Sequence, residues 1–426
     1  MMQLRVNRSR LNGCVAMPGS KSHTIRALVI AGLADGESRL VAPLRSADTS
    51  SAVQAVRIMG AEVTADGDDL IVGGVGGEPQ APAEVIDVGN SGVTLRTVCA
   101  AAALADGTTR FTGDEQIQRR PLGPLLEALN QLGAEAVSER GNGCAPVSIT
   151  GPMRGGSCTI ECPTSQYLSA LLISCPLAAA DTHIDVMLLH EAPFVLLTLD
   201  WLERQGIRYE AEGLTSFDIS GGQSYRSFER AIPADFSSAA FFICAAAITG
   251  SEVTLTGLDM DDSQGDKAIV EQLRQMGVEI TVRGREMTVR GGQLHGCEFD
   301  LNATPDALPI LAVVGCFAEG ETVLGNVPQA RIKETDRISV MAAELGKMGA
   351  HIEELPDGLI VRRSDLVGAE VEGHGDHRVV MALAVAAMAA PGETVVSTAE
   401  SVAVTFPDFV ELMQQLGAAV EKVDTP

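Results

Sequence analysis

Lysine and arginine recur in this chain at places where a helix is about to begin, which is the wrong end for a cation. Lys21 and Arg26 fall in the turns after Pro18-Gly19-Ser20, Arg96 follows Gly89-Asn90-Ser91-Gly92, and His377-Arg378 follow Gly373-His374-Gly375-Asp376. A further run, Arg331-Ile332-Lys333-Glu334-Thr335-Asp336-Arg337, sets Lys333 and Arg337 four residues apart and so on one helical face. The positive pole of the helix dipole disfavours each such cation by roughly 0.3–1 kcal/mol. Pairing with nearby carboxylates would satisfy any single one, since the chain has 56 Asp+Glu against 31 Lys+Arg. Repetition of the same conflict along the chain points instead to anions bound at the helix starts, where backbone N–H groups, the dipole and the cations act together. The chemistry implied is recognition of small phosphorylated or carboxylated molecules. Gly19-Ser20-Lys21-Ser22 is not the tail of a nucleotide-binding P-loop, because Ser20 separates the glycine from the lysine.

The elements that must position these residues repeat. Gly60, Gly133, Gly206, Gly277, Gly349 and Gly417 each end an amphipathic stretch and lead into an apolar-alternating one, at steps of 73, 73, 71, 72 and 68 residues. Each reads as the left-handed residue after a helix, followed by a strand start. A second, Ala-rich series begins near Ser20, Ser91, Thr164, Asp235, Thr304 and Asp376. Apolar on nearly every face, these helices belong in the interior. The glycine-terminated series, such as Met341 to Met348 with Glu344 and Lys347 outward, covers them. A period near 71 in 426 residues makes six copies of one supersecondary unit, an α/β fold with mixed sheets divided into two domains of three units.

Composition narrows the partners. A net charge of −25 argues against nucleic acid and anionic membranes. No apolar run reaches the roughly 18–20 residues of a membrane span. The N-terminus, Met1-Met2-Gln3-Leu4-Arg5-Val6, begins as a strand without signal or transit character. Nine scattered cysteines without a CxxC pattern suit a reducing, cytoplasmic setting.

Motifs in order along the chain resemble one family. They are Pro18 to Arg26, Gly89-Asn90-Ser91-Gly92, Gly113-Asp114-Glu115 with Arg120-Pro121, Ser165-Gln166-Tyr167-Leu168, Asp235-Phe236-Ser237-Ser238, Pro305-Asp306-Ala307, Arg331 to Arg337, Asp376-His377-Arg378 and Thr405-Phe406-Pro407. Together they resemble the 5-enolpyruvylshikimate-3-phosphate synthase (3-phosphoshikimate 1-carboxyvinyltransferase) family from about residue 13 to 415. The resemblance implies the two-domain enolpyruvyl transferase fold, an inside-out α/β barrel of six βαβαββ repeats, three per domain, with a cleft between. It implies a discontinuous first domain, 1–19 plus 235–426, a second of 20–234, and crossovers near 19–20 and 233–235. The implied reaction moves the enolpyruvyl group of phosphoenolpyruvate to the 5-hydroxyl of shikimate 3-phosphate and releases phosphate, a step of aromatic amino-acid and chorismate biosynthesis. It needs no cofactor and no metal, and a cytoplasmic monomer with small-molecule substrates is expected.

By the same resemblance Asp306 is the base at the 5-hydroxyl, while Glu334 and Lys21 handle the protons at C3 and the leaving phosphate. Lys21, Ser22, Arg26, Thr164, Ser165, Gln166, Asp306, Gln329 and Lys333 are assigned to shikimate 3-phosphate. Lys21, Asn90, Gly92, Arg120, Gln166, Arg337, His377 and Arg378 are assigned to phosphoenolpyruvate, whose carboxylate and phosphate suit the planar arginine fork. Asp235-Phe236-Ser237-Ser238 reads as a cap and hinge. A dianionic substrate is expected to draw the two domains shut. Gly92 leaves the room that admits glyphosate in the family, so inhibition is expected, with Val93 as a departure that bears on it. Other departures are Glu191-Ala192-Pro193-Phe194, where many members carry Ser-Lys-Pro-Tyr or Ser-Arg, Gln329 in place of Asn, and Val404 in place of a Lys. Two alternatives share the scaffold. A UDP-N-acetylglucosamine enolpyruvyl transferase would carry a cysteine in the loop Gly113 to Pro121, which has none. A non-catalytic anion-binding relative would have no reason to keep Lys21, Asp306 and Glu334 together.

Overall fold

Glycine ends the covering helices as the pattern requires. Gly60, Gly133, Gly206, Gly277, Gly349 and Gly417 all take positive φ, between 71° and 107°, and strands start within one to three residues at Glu62, Glu135, Tyr209, Glu279, His351 and Ala419. The computed structural model describes residues 2–424. In chain order the helices are α1 (Lys21–Leu33), α2 (Ala47–Ile58), α3 (Gly92–Ala102), α4 (Gly123–Gln131), α5 (Gln166–Ser174), α6 (Ala192–Arg204), α7 (Phe236–Thr249), α8 (Ala268–Gln275), α9 (Leu308–Phe317), α10 (Arg337–Lys347), α11 (His377–Ala389) and α12 (Phe409–Gln415). Odd-numbered helices are interior and even-numbered ones half-covered.

The described strands form six four-stranded sheets, each with one parallel and two antiparallel pairings. In one of them Glu37–Val41 runs parallel to Glu229–Ala231 and antiparallel to Asp69–Gly73, which pairs in turn with Glu62–Asp66. The chain divides into two compact units, residues 1–18 with 233–426, and residues 19–232. Three sheets belong to each. In the first unit the N-terminal strand Met2–Asn7 lies between Thr394–Ser397 and the last strand Ala419–Asp424, and Asn12–Ala16 joins Glu252–Thr256 in parallel. In the second, Glu229–Ala231 returns to the first sheet of that unit. Each unit is thus closed by a strand from the far end of its sequence.

Each unit has its own core. In one, α7, α9 and α11 pack together around Phe236, Phe241, Phe242, Ile310, Leu311 and Val380. In the other, α1, α3 and α5 pack around Leu28, Leu95, Val98, Leu168 and Leu172. Ala and Gly on these helices let the axes approach closely. One covering residue departs from expectation. Glu344 of α10 is only 2% exposed: its carboxylate accepts from Lys347 Nζ, the Glu372 backbone N–H and His374 Nε2. A strand end needing an acceptor turned it inward, while Lys347 stays half exposed.

All nine cysteines are unpaired. Among the described residues no helix is long and apolar enough to cross a membrane, and no group of three or more His, Cys, Asp or Glu is arranged for a metal ion.

Candidate active site

In the unit of residues 19–232, three buried helix starts carry the polar groups. Ser20 caps α1, accepting from the His23 N–H. Lys21, at the first turn, pairs with Asp48 at 3.0 Å; Asp48 sits in the first turn of α2, and its Oδ1 is buried without a hydrogen-bond partner. Arg26 is spent internally: Nε donates to Thr198 Oγ1 at 2.8 Å, Nη1 to the Ser22 carbonyl, and Nη2 to Ser169 Oγ and the Phe194 carbonyl. It ties α1 to α5 and α6, and burial pushes its guanidinium down to about 10.

A second cluster surrounds the start of α3. Asn90 donates to Asp114 Oδ2 at 2.6 Å and Gln116 Oε1 at 2.7 Å, and its Oδ1 accepts from Arg120 Nη2 at 3.3 Å. Arg96 donates to Gln166 Oε1 at 3.0 Å and to the Pro121 carbonyl at 3.2 Å, while its Nε is buried without a partner. Burial, with Arg120 nearby, lowers its pKa. A Cβ at Gly92 would overlap Arg96 Nη1 and lie 3.0 Å from Arg120 Nη1. Glycine here is what lets two guanidinium groups approach one helix N-terminus. Thr164 and Ser165, at the start of α5, turn their hydroxyls and the Ser165 N–H to one atom, Oε2 of Glu191, at 3.0, 3.0 and 3.2 Å.

In the other unit the charges form one network centred on Arg337, which is 1% exposed. Its Nε and Nη2 grip Asp376 at 2.8 and 3.2 Å, Nη2 also reaches Glu334 at 2.5 Å, and Nη1 reaches Asp306 at 2.8 Å. Asp306 Oδ2 takes a second cation, Arg378 Nη2, at 2.9 Å, and Arg378 also donates to Ser237 Oγ at 2.7 Å. Burial alone would raise the Asp306 pKa, but Arg378, Lys333 and Arg337 overcome it and hold the carboxyl well below the usual carboxylate range. Burial would likewise lower Arg337; Asp376, Glu334 and Asp306 instead raise it well above the ordinary value. His377 opens α11 beside its cap Asp376, with Nδ1 4.0 Å from Oδ1. Gln329 Nε2 donates to the Asn302 carbonyl, leaving Oε1 buried without a partner. Asp235 caps α7 through Ser238.

The expected residues therefore fall into two groups, one in each unit. Asp306, Glu334, Arg337 and Arg378 are directly linked, and Asn90, Gly92, Arg120 and Gln166 gather around Arg96. In this structure some cations at the helix starts have carboxylate partners from the chain itself, as Lys21 has Asp48 and Arg337 has Asp376, whereas Arg26 and Arg96 donate to hydroxyl, carbonyl and amide oxygens. Three residues outside the expected sets are central. Arg96 stood out only as a cation at a helix start. Asp376 appeared only as a helix start and as part of a motif. Asp266 gave no signal at all, yet it is buried and pushed up to about 7, by burial first and then by Asp306.

The family model described as EPSP synthase (3-phosphoshikimate 1-carboxyvinyltransferase) matches residues 6–413. The chain belongs to the EPSP synthase family. A 3-phosphoshikimate 1-carboxyvinyltransferase from Acetivibrio thermocellus is 54% identical, over 98% of this chain and 99% of its own. One from Ruminiclostridium cellulolyticum is 51% identical, over 99% and 100%. The solved EPSP synthase of Acinetobacter baumannii is similar over 100% of both chains, with TM-score 0.84 and 27% identity. The α/β architecture above is thus that of EPSP synthases, and membership makes the chain a transferase of the shikimate pathway.

Proposed function

We propose that this chain transfers the enolpyruvyl group of phosphoenolpyruvate to the 5-hydroxyl of shikimate 3-phosphate, with Asp306 as the base. The observation that carries the assignment is the position of Asp306 between Arg337 and Arg378. A carboxylate held so far below its usual pKa is ionised but a weak base. A carboxylate and a phosphate arriving on phosphoenolpyruvate compete for the same two guanidinium groups. As they draw Arg337 and Arg378 away, Asp306 loses the field that suppresses it and gains basicity. The base is then strong only when the second substrate is bound, which limits idle proton transfer.

Asp306 takes the 5-hydroxyl proton as that oxygen adds to C2 of the enol, and C3 accepts a proton to give a tetrahedral ketal phosphate. Loss of a C3 proton and departure of phosphate restore the alkene. Glu334 and Lys21 serve these two sites: Glu334 shares Arg337 with the base, and Lys21 stands at a helix start paired with Asp48. Lys21, Ser22, Arg26, Thr164, Ser165, Gln166, Gln329 and Lys333 are proposed for shikimate 3-phosphate. Lys21, Asn90, Gly92, Arg120, Gln166, Arg337, His377 and Arg378 are proposed for phosphoenolpyruvate. Within the first set, Arg26 supports the site by holding three helices together, since its donors are engaged. The charge and cysteine arguments favour a cytoplasmic protein acting on small molecules. The deciding assay follows inorganic phosphate released by the purified protein with both substrates. Release no greater than in single-substrate controls would overturn the reading.

A further inference from the structure

Glu191 is a carboxylate that sits on hydroxyl and backbone donors where the phosphate of shikimate 3-phosphate is expected to bind. It is 2% exposed, and its Oε2 receives both hydroxyls of Thr164 and Ser165 and the Ser165 N–H. These donors open α5, so the carboxylate also lies at the positive pole of that helix. Glu191 itself precedes α6 with φ 61° and ψ 37°, a left-handed conformation that non-glycine residues rarely take. Its side chain makes no capping bond to its own helix but reaches back to residues 26 and 27 positions earlier. We infer that Glu191 is a specificity-determining residue, an internal anion that fills the Thr164–Ser165 donor set and must yield it when the phosphate of shikimate 3-phosphate binds.

The inference rests on the enolpyruvyl-transfer reading and deepens it. Two anions cannot share three donors that converge on one atom, so the substrate phosphate gains those bonds only after Glu191 gives them up. Part of the phosphate's binding energy is consumed in that exchange. An acceptor that carries a hydroxyl there, such as shikimate itself, suffers no such repulsion and can donate to the carboxylate. Glu191 therefore narrows the preference for the phosphorylated acceptor.

The test compares the parent protein with Glu191→Gln, which keeps shape and removes charge, and with Glu191→Gly, which suits the positive φ. Calorimetry with shikimate 3-phosphate, which needs no turnover, should show at least tenfold tighter binding in both variants. The KM for shikimate 3-phosphate should fall by a similar factor while that for phosphoenolpyruvate stays put, and the kcat/KM ratio of shikimate 3-phosphate over shikimate should rise. Unchanged or weaker shikimate 3-phosphate binding in both variants, with the parent releasing phosphate normally, would overturn the inference alone. A parent that binds shikimate 3-phosphate yet releases no phosphate would sink the reading beneath it, while the binding comparison would still judge Glu191.

Discussion

In the proposed role of base, Asp306 depends on the two arginines that hold it being drawn away. Asp306→Asn keeps the shape and the hydrogen-bonding capacity but cannot take a proton. We expect kcat to fall by about 10²–10⁴, the usual scale of general-base catalysis, with shikimate 3-phosphate affinity within a few-fold of the parent by calorimetry. A variant retaining more than a tenth of kcat would reassign the base. Gly92→Ala tests the other group. The added methyl meets the far ends of Arg96 and Arg120 rather than backbone, so the fold should survive and the guanidinium groups should move. The KM for phosphoenolpyruvate is expected to rise about tenfold, roughly 1.4 kcal/mol, with an unchanged melting temperature. A lower melting temperature with unaltered KM would show that the site adjusts freely and only the helix start is strained.

The buried helices set the electrostatic character of their own first turns. Asp376 caps α11 and fixes Arg337 of α10, so it joins two elements through a pair that is at most 1% exposed. Removing one partner of such a pair costs about 3–5 kcal/mol, and Asp376→Ala should destabilise by that order in urea melts. A loss under about 1 kcal/mol would mean the network relaxes around Glu334 and Asp306. Asp266, in the 3-10 turn Gly265–Lys267 that leads into α8, behaves oppositely. Its pKa is raised to about 7 from about 3.9 in the unfolded chain, so the folded form binds the extra proton. Its stabilising contribution is complete below about pH 4 and is lost as pH rises through about 7. The depressed Asp306 has the reverse sign: its contribution is present above about pH 4 and fades as pH falls below that. Asp266→Asn should therefore stabilise the protein at pH 8, by about 1–3 kcal/mol, and change little at pH 4. Equal urea midpoints for parent and variant at pH 8 would refute the assignment.

At the scale of the whole molecule, each unit is sealed by a strand from elsewhere in the chain: Met2–Asn7 between two C-terminal strands, and Glu229–Ala231 beside Glu37–Val41. Truncating the first seven residues would remove the central partner of a sheet and should abolish soluble folding rather than fray an end. A substrate that binds only the folded form stabilises the protein by mass action. Shikimate 3-phosphate at a hundred times its Kd adds about 2.7 kcal/mol. For a chain of this length that is a melting shift of about 3 °C. No shift at saturation would count against the proposed site.

Much of the fold was legible because it is written six times. Gly60 and its five counterparts need positive φ for a local reason, and the Ala-rich helix starts show their burial in composition alone. The cations at Lys21, Arg96, Arg337 and Arg378 were legible too, since a charge at the wrong pole of a helix is visible without coordinates. Their partners were not. That Asp48 meets Lys21, that Asp376 and Asp306 share Arg337, and that Glu344 turns inward depend on residues from different elements meeting in space. The same holds for Glu191, which read as a missing donor in the sequence and is an acceptor in the structure, filling the donors of Thr164 and Ser165. Periodicity and backbone preference act over a few neighbouring residues, so sequence alone determined the repeat, its caps and its charge conflicts. Coulomb forces and burial act through space, so only the tertiary structure decided which acid neutralises which base, and how far each pKa moves.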